Sequence, residues 1–279
     1  MKKYISTIKS ISAIAFTGLW IACPNDTFAQ NSEISASIGG ISSSLNYKYQ
    51  TKDGENINIG IEYAYYFSEN IGIAIGAEYQ RVNASSYIRK IDGSYNTADY
   101  EQEPFEFRYT MNEFSEQQKI NFLNIPVAFV YRTGETGIYA RVGAKVGLPV
   151  SGSFSSRYLL STSGFYPQYN AELSDPLFMG FGDFGKVSAS GNSVQLKPSY
   201  IASFELGIKE SIGKNNFYAG FYLDYGLNNI AGDQSHPVEY VVKEDGAGFK
   251  YNSILNSPNI DSVKTLAFGV KLRYSFLNF

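Results

Sequence analysis

His236 is the only histidine among 279 residues, and it stands beside Ser235 with Asp233 three places before it and Glu239 three places after. An imidazole next to a hydroxyl and carboxylates is the inventory of a general base serving a nucleophile. Neither a nucleophile elbow nor a metal-binding spacing surrounds it, and a lone loop histidine among polar residues is ordinarily solvated. Asp92, Ser94 and Asn96 imitate the start of a calcium loop, but Thr97 stands where the sharp turn of such a loop requires glycine. Cys23 is the single cysteine. It follows Ala22 as a lipid-anchor cysteine would, although Trp20 occupies the place that such signals usually give to leucine. The residue types thus imply no catalytic site, cofactor or metal.

The chain's start assigns a compartment. Lys2, Lys3 and Lys9 precede a mostly apolar, uncharged run from Ile11 to Ala22, and Thr27-Phe28-Ala29 follows. That is the three-part layout of a secretory signal peptide, with cleavage expected after Ala29. The apolar run is shorter than the roughly 20 residues of a spanning helix. Residues 1–29 hold three lysines and one aspartate, so the mature part of 250 residues keeps 20 bases and 25 acids, a net −5. An acidic chain of this kind is no nucleic-acid binder. With Cys23 removed, disulfides and thiol catalysis are excluded as well.

The elements that would position any site are strands. Ile57, Ile59, Ile61, Tyr63, Tyr65 and Phe67 alternate with Asn58, Gly60, Glu62 and Ala64. Ile71, Ile73, Ile75, Ala77 and Tyr79 alternate with Gly72, Ala74, Gly76, Glu78 and Gln80. A helix of period 3.6 would scatter both sets around its axis. The same period of two runs through 138–148, 200–209, 217–226 and 266–276, and more weakly through Ile34, Ala36, Ile38 and through 123–131. About eight antiparallel strands follow, with Pro126 predicting either a bulge in the mid-chain one or a strand boundary a few residues away.

Which face lies inside is decided by the connections. Short links near 67–71, 131–137 and 209–217 alternate with long stretches near 83–118, 151–197 and 228–262. Short turns on one side and long loops on the other are the habit of an up-and-down transmembrane β-barrel, with long loops outside the cell. A soluble barrel with an apolar interior has no reason for that asymmetry. The apolar faces then meet outer-membrane lipid. The other faces, carrying Glu62, Glu78, Glu205 and Asp224 with Arg141, Lys145, Lys209, Lys271 and Arg273, become a charge network in the lumen. Desolvating those charges unpaired would cost several kcal/mol each, so partners are required.

The run at 65–79, with a tight turn at Ser68-Glu69-Asn70, looks like the first inner turn of OmpA-like barrels. The segments at 123–132 and 137–154 resemble the Bacteroidota-type outer-membrane barrels that include PorT-like proteins. The resemblance covers nearly all of the mature chain. It implies an eight-stranded barrel in the outer membrane of a Gram-negative cell, reached by Sec export. Gly269, Leu272, Tyr274 and Phe276 match the spacing of the terminal-strand signal that the barrel-assembly machinery reads, displaced because alternation ends three residues before Phe279. No room follows Phe279 for the peptidoglycan-binding domain of full OmpA proteins, so wall tethering is not implied.

Function is expected in the loops. Residues 83–118 carry three bases and seven acids, and 228–262 two bases and five acids. Tyr87, Tyr95, Tyr100, Phe105, Phe107, Tyr109 and Phe114 in the first of these point to an ordered loop, with strands able to continue past the membrane. The leading expectation is a non-enzymatic anchor, adhesin or docking surface for an envelope protein or surface ligand. A small-solute channel is second, since eight strands leave a lumen that side chains can fill. A lipid-modifying enzyme at the rim, built on His236, is third.

Overall fold

In the computed structural model the described residues are 31–46, 51–134, 136–192, 194–258, 260 and 262–278. The expected signal peptide with Cys23, and the cleavage site after Ala29, lie outside them, as do Glu135 and Asp261. Among the described residues there are twelve strands: β1 (Asn31–Asn46), β2 (Thr51–Tyr66), β3 (Ile71–Ala98), β4 (Pro104–Arg132), β5 (Gly137–Tyr166), β6 (Ala171–Leu173), β7 (Gly182–Gly191), β8 (Ser199–Ile212), β9 (Asn215–Gly226), β10 (Val238–Lys243), β11 (Gly246–Tyr251) and β12 (Lys264–Asn278).

Eight of these close a ring. The order β1-β2-β3-β4-β5-β8-β9-β12 returns to β1, and every neighbouring pair is antiparallel. Closure satisfies the backbone without leaving an edge in lipid, which is the condition for strands to cross a bilayer. The ring's exterior is apolar: Ile59, Ile61, Ile75, Phe129, Val142, Ile208, Phe221 and Phe268 all point outward and are exposed. Its interior holds the charges. This inversion of the soluble arrangement makes the ring a transmembrane barrel.

Three strands overrun the ring. The last outward apolar residue of β3's alternating run is Tyr79, yet the strand continues to Ala98; β4 likewise begins 19 residues before Leu123. That is about 60 Å of extended chain. The stretch 83–118 is therefore mainly a long hairpin whose tip is 99–103. The stretch 151–197 contains the end of β5 with β6 and β7 paired onto it, and 228–262 contains the β10–β11 hairpin.

Pro126 is accommodated differently from the bulge or strand boundary expected of it. β4 pairs through it with Lys145 in unbroken register, and the nearest register shift on that side falls at Asn121/Phe122. On the β3 side the paired residues stop at Ile75↔Val127 and resume in the same register at Glu78↔Asn124. The missing N–H thus costs a local gap in one ladder, beside Gly76, and not an extra residue. The true kink lies higher. Glu113 has φ of +53°, the β4–β5 register shifts between Asn112 and Ser115, and the inward set changes parity from Phe114 to Met111. A residue in the left-handed region bends a bulged strand, and here it exchanges the inward and outward sets of β4.

Candidate functional site

The lumen is filled in layers. At the end nearest the short turns, Glu33 receives Arg132, Asn216 Nδ2 at 2.6 Å, and Tyr218 Oη at 2.8 Å. The Arg132 guanidinium lies over the Tyr66 ring at 3.5 Å from its centroid, a cation–π contact. Above this, Arg141 meets Glu62, while Arg273 forks onto Glu205 at 2.9 and 3.0 Å; Tyr139 donates to the same carboxylate at 2.7 Å. Lys145 bridges Glu78 and Asp224, each at 2.8 Å, and Lys271 reaches the other Glu78 oxygen at 2.7 Å. All of these side chains are buried except Glu62, which is partly buried.

Eight of the nine charges assigned to the polar face from sequence therefore pair inside the ring, in two groups that line one small cavity: Arg141–Glu62–Arg273–Glu205 and Lys145–Glu78–Asp224–Lys271. Lys209 sits lower, its Nζ donating to the Gly134 carbonyl at 2.7 Å. Glu33 and Arg132 belong to the same interior but were missed in the sequence reading. Their signal was present: Glu33 shares the inward parity of Ser35 and Ser37, and Arg132 that of Ala128 and Val130. Cavities of about 30 and 10 Å³ lie at the level of the charges, each with room for a few waters at most.

Above the charges an amide layer of Asn56, Asn58, Gln80 and Asn124 gives way to Leu45, Val82, Ile120 and Phe122, all buried. These merge into the core of the body that the overrunning strands build beyond the apolar belt, the outer body in the sense of lying outside the ring. There Phe105, Phe107, Tyr109 and Met111 from β4 and Phe181 from the β6–β7 connection pack against Tyr240 and Phe249 of the β10–β11 hairpin. Glu116, fully buried on β4, accepts from Ser253 Oγ at 2.7 Å, Gln118 Nε2 at 2.9 Å and the Ile254 amide at 3.2 Å. It thereby ties the segment between β11 and β12 to the wall. Burial, only partly offset by those hydrogen bonds, pushes its carboxyl up to about 7.

The other singled-out residues lie apart from this. His236 is used as an aromatic tile: its ring stacks on Tyr95 at 4.2 Å, and Nδ1 stands 3.5 Å from the Tyr109 hydroxyl. Partial burial lowers its pKa. Glu239 instead holds Lys250 at 2.7 Å and Asn252 at 2.8 Å, and the Ser235 amide donates to the Asn256 carbonyl. Asp92, Ser94 and Asn96 follow one another along strand β3, opposite Thr110, Arg108 and Glu106, and do not wrap a common point. On β12, Leu272, Tyr274 and Phe276 face outward, while Gly269 faces inward, where a Cβ would lie 2.1 Å from the Gly40 carbonyl oxygen.

No family profile and no curated protein matches this chain. Among solved structures it is similar to the attachment invasion locus protein Ail of Yersinia pestis in complex with the heparin analogue sucrose octasulfate, at 13% identity over 89% of this chain and all of that one, with a TM-score of 0.34. It is also similar to Neisserial surface protein A, at 10% identity over 88% of this chain and 97% of that one, TM-score 0.36. The translocator domain of the autotransporter NalP from Neisseria meningitidis aligns at 9% identity over 98% of each chain, TM-score 0.23. Likenesses this distant carry no argument about function. The barrel stands on its own closed ring, apolar exterior and charged lumen.

Proposed function

We propose that this chain is a non-enzymatic outer-membrane protein in which a sealed barrel holds up an outer body that serves as a docking or adhesive surface. One observation carries the reading: β3, β4 and β5 run unbroken from the short turns to an extramembrane body with its own buried aromatic core, above a lumen closed by ion pairs. A channel would need that lumen open. An impermeant thiol reagent applied to intact cells should label Glu101→Cys at the far tip and leave Lys214→Cys in a short turn unlabelled. The reverse pattern would invert the orientation. Purified protein in planar bilayers should give no unitary conductance, and porin-like steps would transfer the function to the lumen.

Two further parts of the reading concern biogenesis. Sec export removes residues 1–29, so the mature protein should begin at Gln30 by mass spectrometry. The outward Leu272, Tyr274 and Phe276, with Gly269, serve as the signal for the barrel-assembly machinery. Replacing Leu272 and Tyr274 by aspartate exposes charge to lipid, at a cost of up to about 2 kcal/mol each depending on depth. It should deplete the heat-modifiable folded band on unboiled gels, and a normal band would remove the assignment.

A further inference from the structure

We infer that the distal end of the outer body is a docking surface for a cationic, amphipathic protein segment. The inference rests on the docking reading above and names the surface and the partner's chemistry. Four tips converge there. Tyr166 of the β5–β6 tip donates to Asp99 of the β3–β4 tip at 2.9 Å, and Tyr169 to Glu103 at 2.7 Å. Gly246 of the β10–β11 turn packs against the Phe178 carbonyl, and Tyr240 donates to that of Met179 at 3.2 Å.

Each converging tip sends some apolar residues down into the core and leaves others up in water. Phe181 and Tyr240 are buried, whereas Phe178 is 64% exposed, Tyr169 62% and Tyr100 59%; Leu177, Val241 and Val242 are exposed beside them. Apolar groups gathered at one end of an already sealed core mark an interaction site more often than chance exposure does. The cell's own bilayer is not the occupant, because the crown stands at the far end of about 60 Å of strand from the apolar belt.

Charge selects the partner. Glu101, Asp175, Glu244 and Asp245 are exposed on these same tips against the single exposed base Lys243. A second copy meeting crown to crown would bring like charges together, since a two-fold contact joins identical patches. An anionic bilayer would be repelled for the same reason. A segment with an apolar stripe and basic flanks satisfies both the apolar centre and the acidic rim, and its binding should weaken with salt.

The test uses the full barrel in nanodiscs of zwitterionic lipid, with empty nanodiscs as reference. The probe is a fluorescent amphipathic peptide of leucine and lysine, compared with its leucine–glutamate counterpart. The lysine peptide should bind and the glutamate peptide should not. Leu177→Ser with Phe178→Ser should weaken binding about tenfold or more; both side chains are exposed, so folding is preserved, which heat modifiability checks. Glu244→Lys with Asp245→Lys should weaken binding and flatten its salt dependence. Equal binding by the serine variant, equal binding of the two peptides, or stronger uptake of the protein by phosphatidylcholine or phosphatidylglycerol vesicles than by the peptide would overturn the inference. The labelling at Glu101 and Lys214 fails independently: a labelled tip without peptide binding refutes the crown alone, and an unlabelled tip refutes the orientation.

Discussion

Along the lower part of β3 the inward side offers Gly72, Ala74, Gly76 and Glu78; along its upper part it offers Ile88, Ile91 and Tyr95. One strand thus serves two interiors built by opposite means. Where lipid surrounds the barrel, the apolar residues are already satisfied outside and gain nothing by turning inward. Small residues there leave room for long charged chains to cross and pair. Where water surrounds the strands, burial of aromatic rings supplies the driving force, and the same strands pack a sheet against a hairpin. The medium outside decides what fills the inside.

The strongest challenge to this contrast is at Lys145, whose ammonium serves two carboxylates. Lys145→Met takes the one cation from Asp224, leaving it the Ser203 hydroxyl, and leaves Glu78 with Lys271 and the Asn124 amide. The loss should be about 3–5 kcal/mol, read by urea unfolding in detergent, and adding Asp224→Asn should return part of it. An unchanged midpoint would mean that the lumen charges contribute nothing to stability. Phe107→Ala acts on the other interior. Deleting a fully buried ring costs about 3–5 kcal/mol, but here it should loosen only the outer body. Protease should cut within 238–251 while the barrel keeps its heat-modifiable migration. Simultaneous loss of both would show the two interiors to be one cooperative unit.

Glu116 sharpens the boundary between them. Its folded pKa of about 7 lies above the ordinary 4.5, so the protonated form favours the folded cap. That contribution, a few kcal/mol at most, is fully present below about pH 4.5 and is lost as pH rises through 7. Hydrogen exchange at Ile254 and Leu255, corrected for intrinsic rate, should speed up over that window in the native chain and stay flat in Glu116→Gln. A pH-independent native cap would disprove the role. The smallest effect is expected at Lys90, whose pair with Asp92 at 3.0 Å is exposed. Lys90→Ala should shift unfolding by no more than about 0.5 kcal/mol.

The lower half of this molecule was readable because period-two alternation survives translation into structure residue by residue. Which acid meets which base was not readable, because pairing across a lumen depends on the stagger of the closed ring. The outer body was half hidden. Phe105, Phe107, Tyr109 and Met111 alternate with Glu106, Arg108 and Thr110 as cleanly as any membrane strand, but the acids around them read as a solvated loop. The parity change at Glu113 then breaks the pattern midway. Glu33 was the harder to read because it opens its strand, where only the small residues Ser35 and Ser37 extend its parity.

The unbroken length of β3, β4 and β5, which are 28, 29 and 30 residues long, has a mechanical consequence. A partner tugging at the crown pulls nearly along the strand axes. Load then spreads over many ladder hydrogen bonds in shear, where they must fail together, instead of peeling them one at a time. The bend at Glu113 is the compliant point that straightens first. Single-molecule pulling from the tip should therefore record a small early extension followed by a high-force rupture, whereas pulling β9 away from β12 across the ring should unzip at low force. A tether held this way is anchored by the whole wall of the barrel.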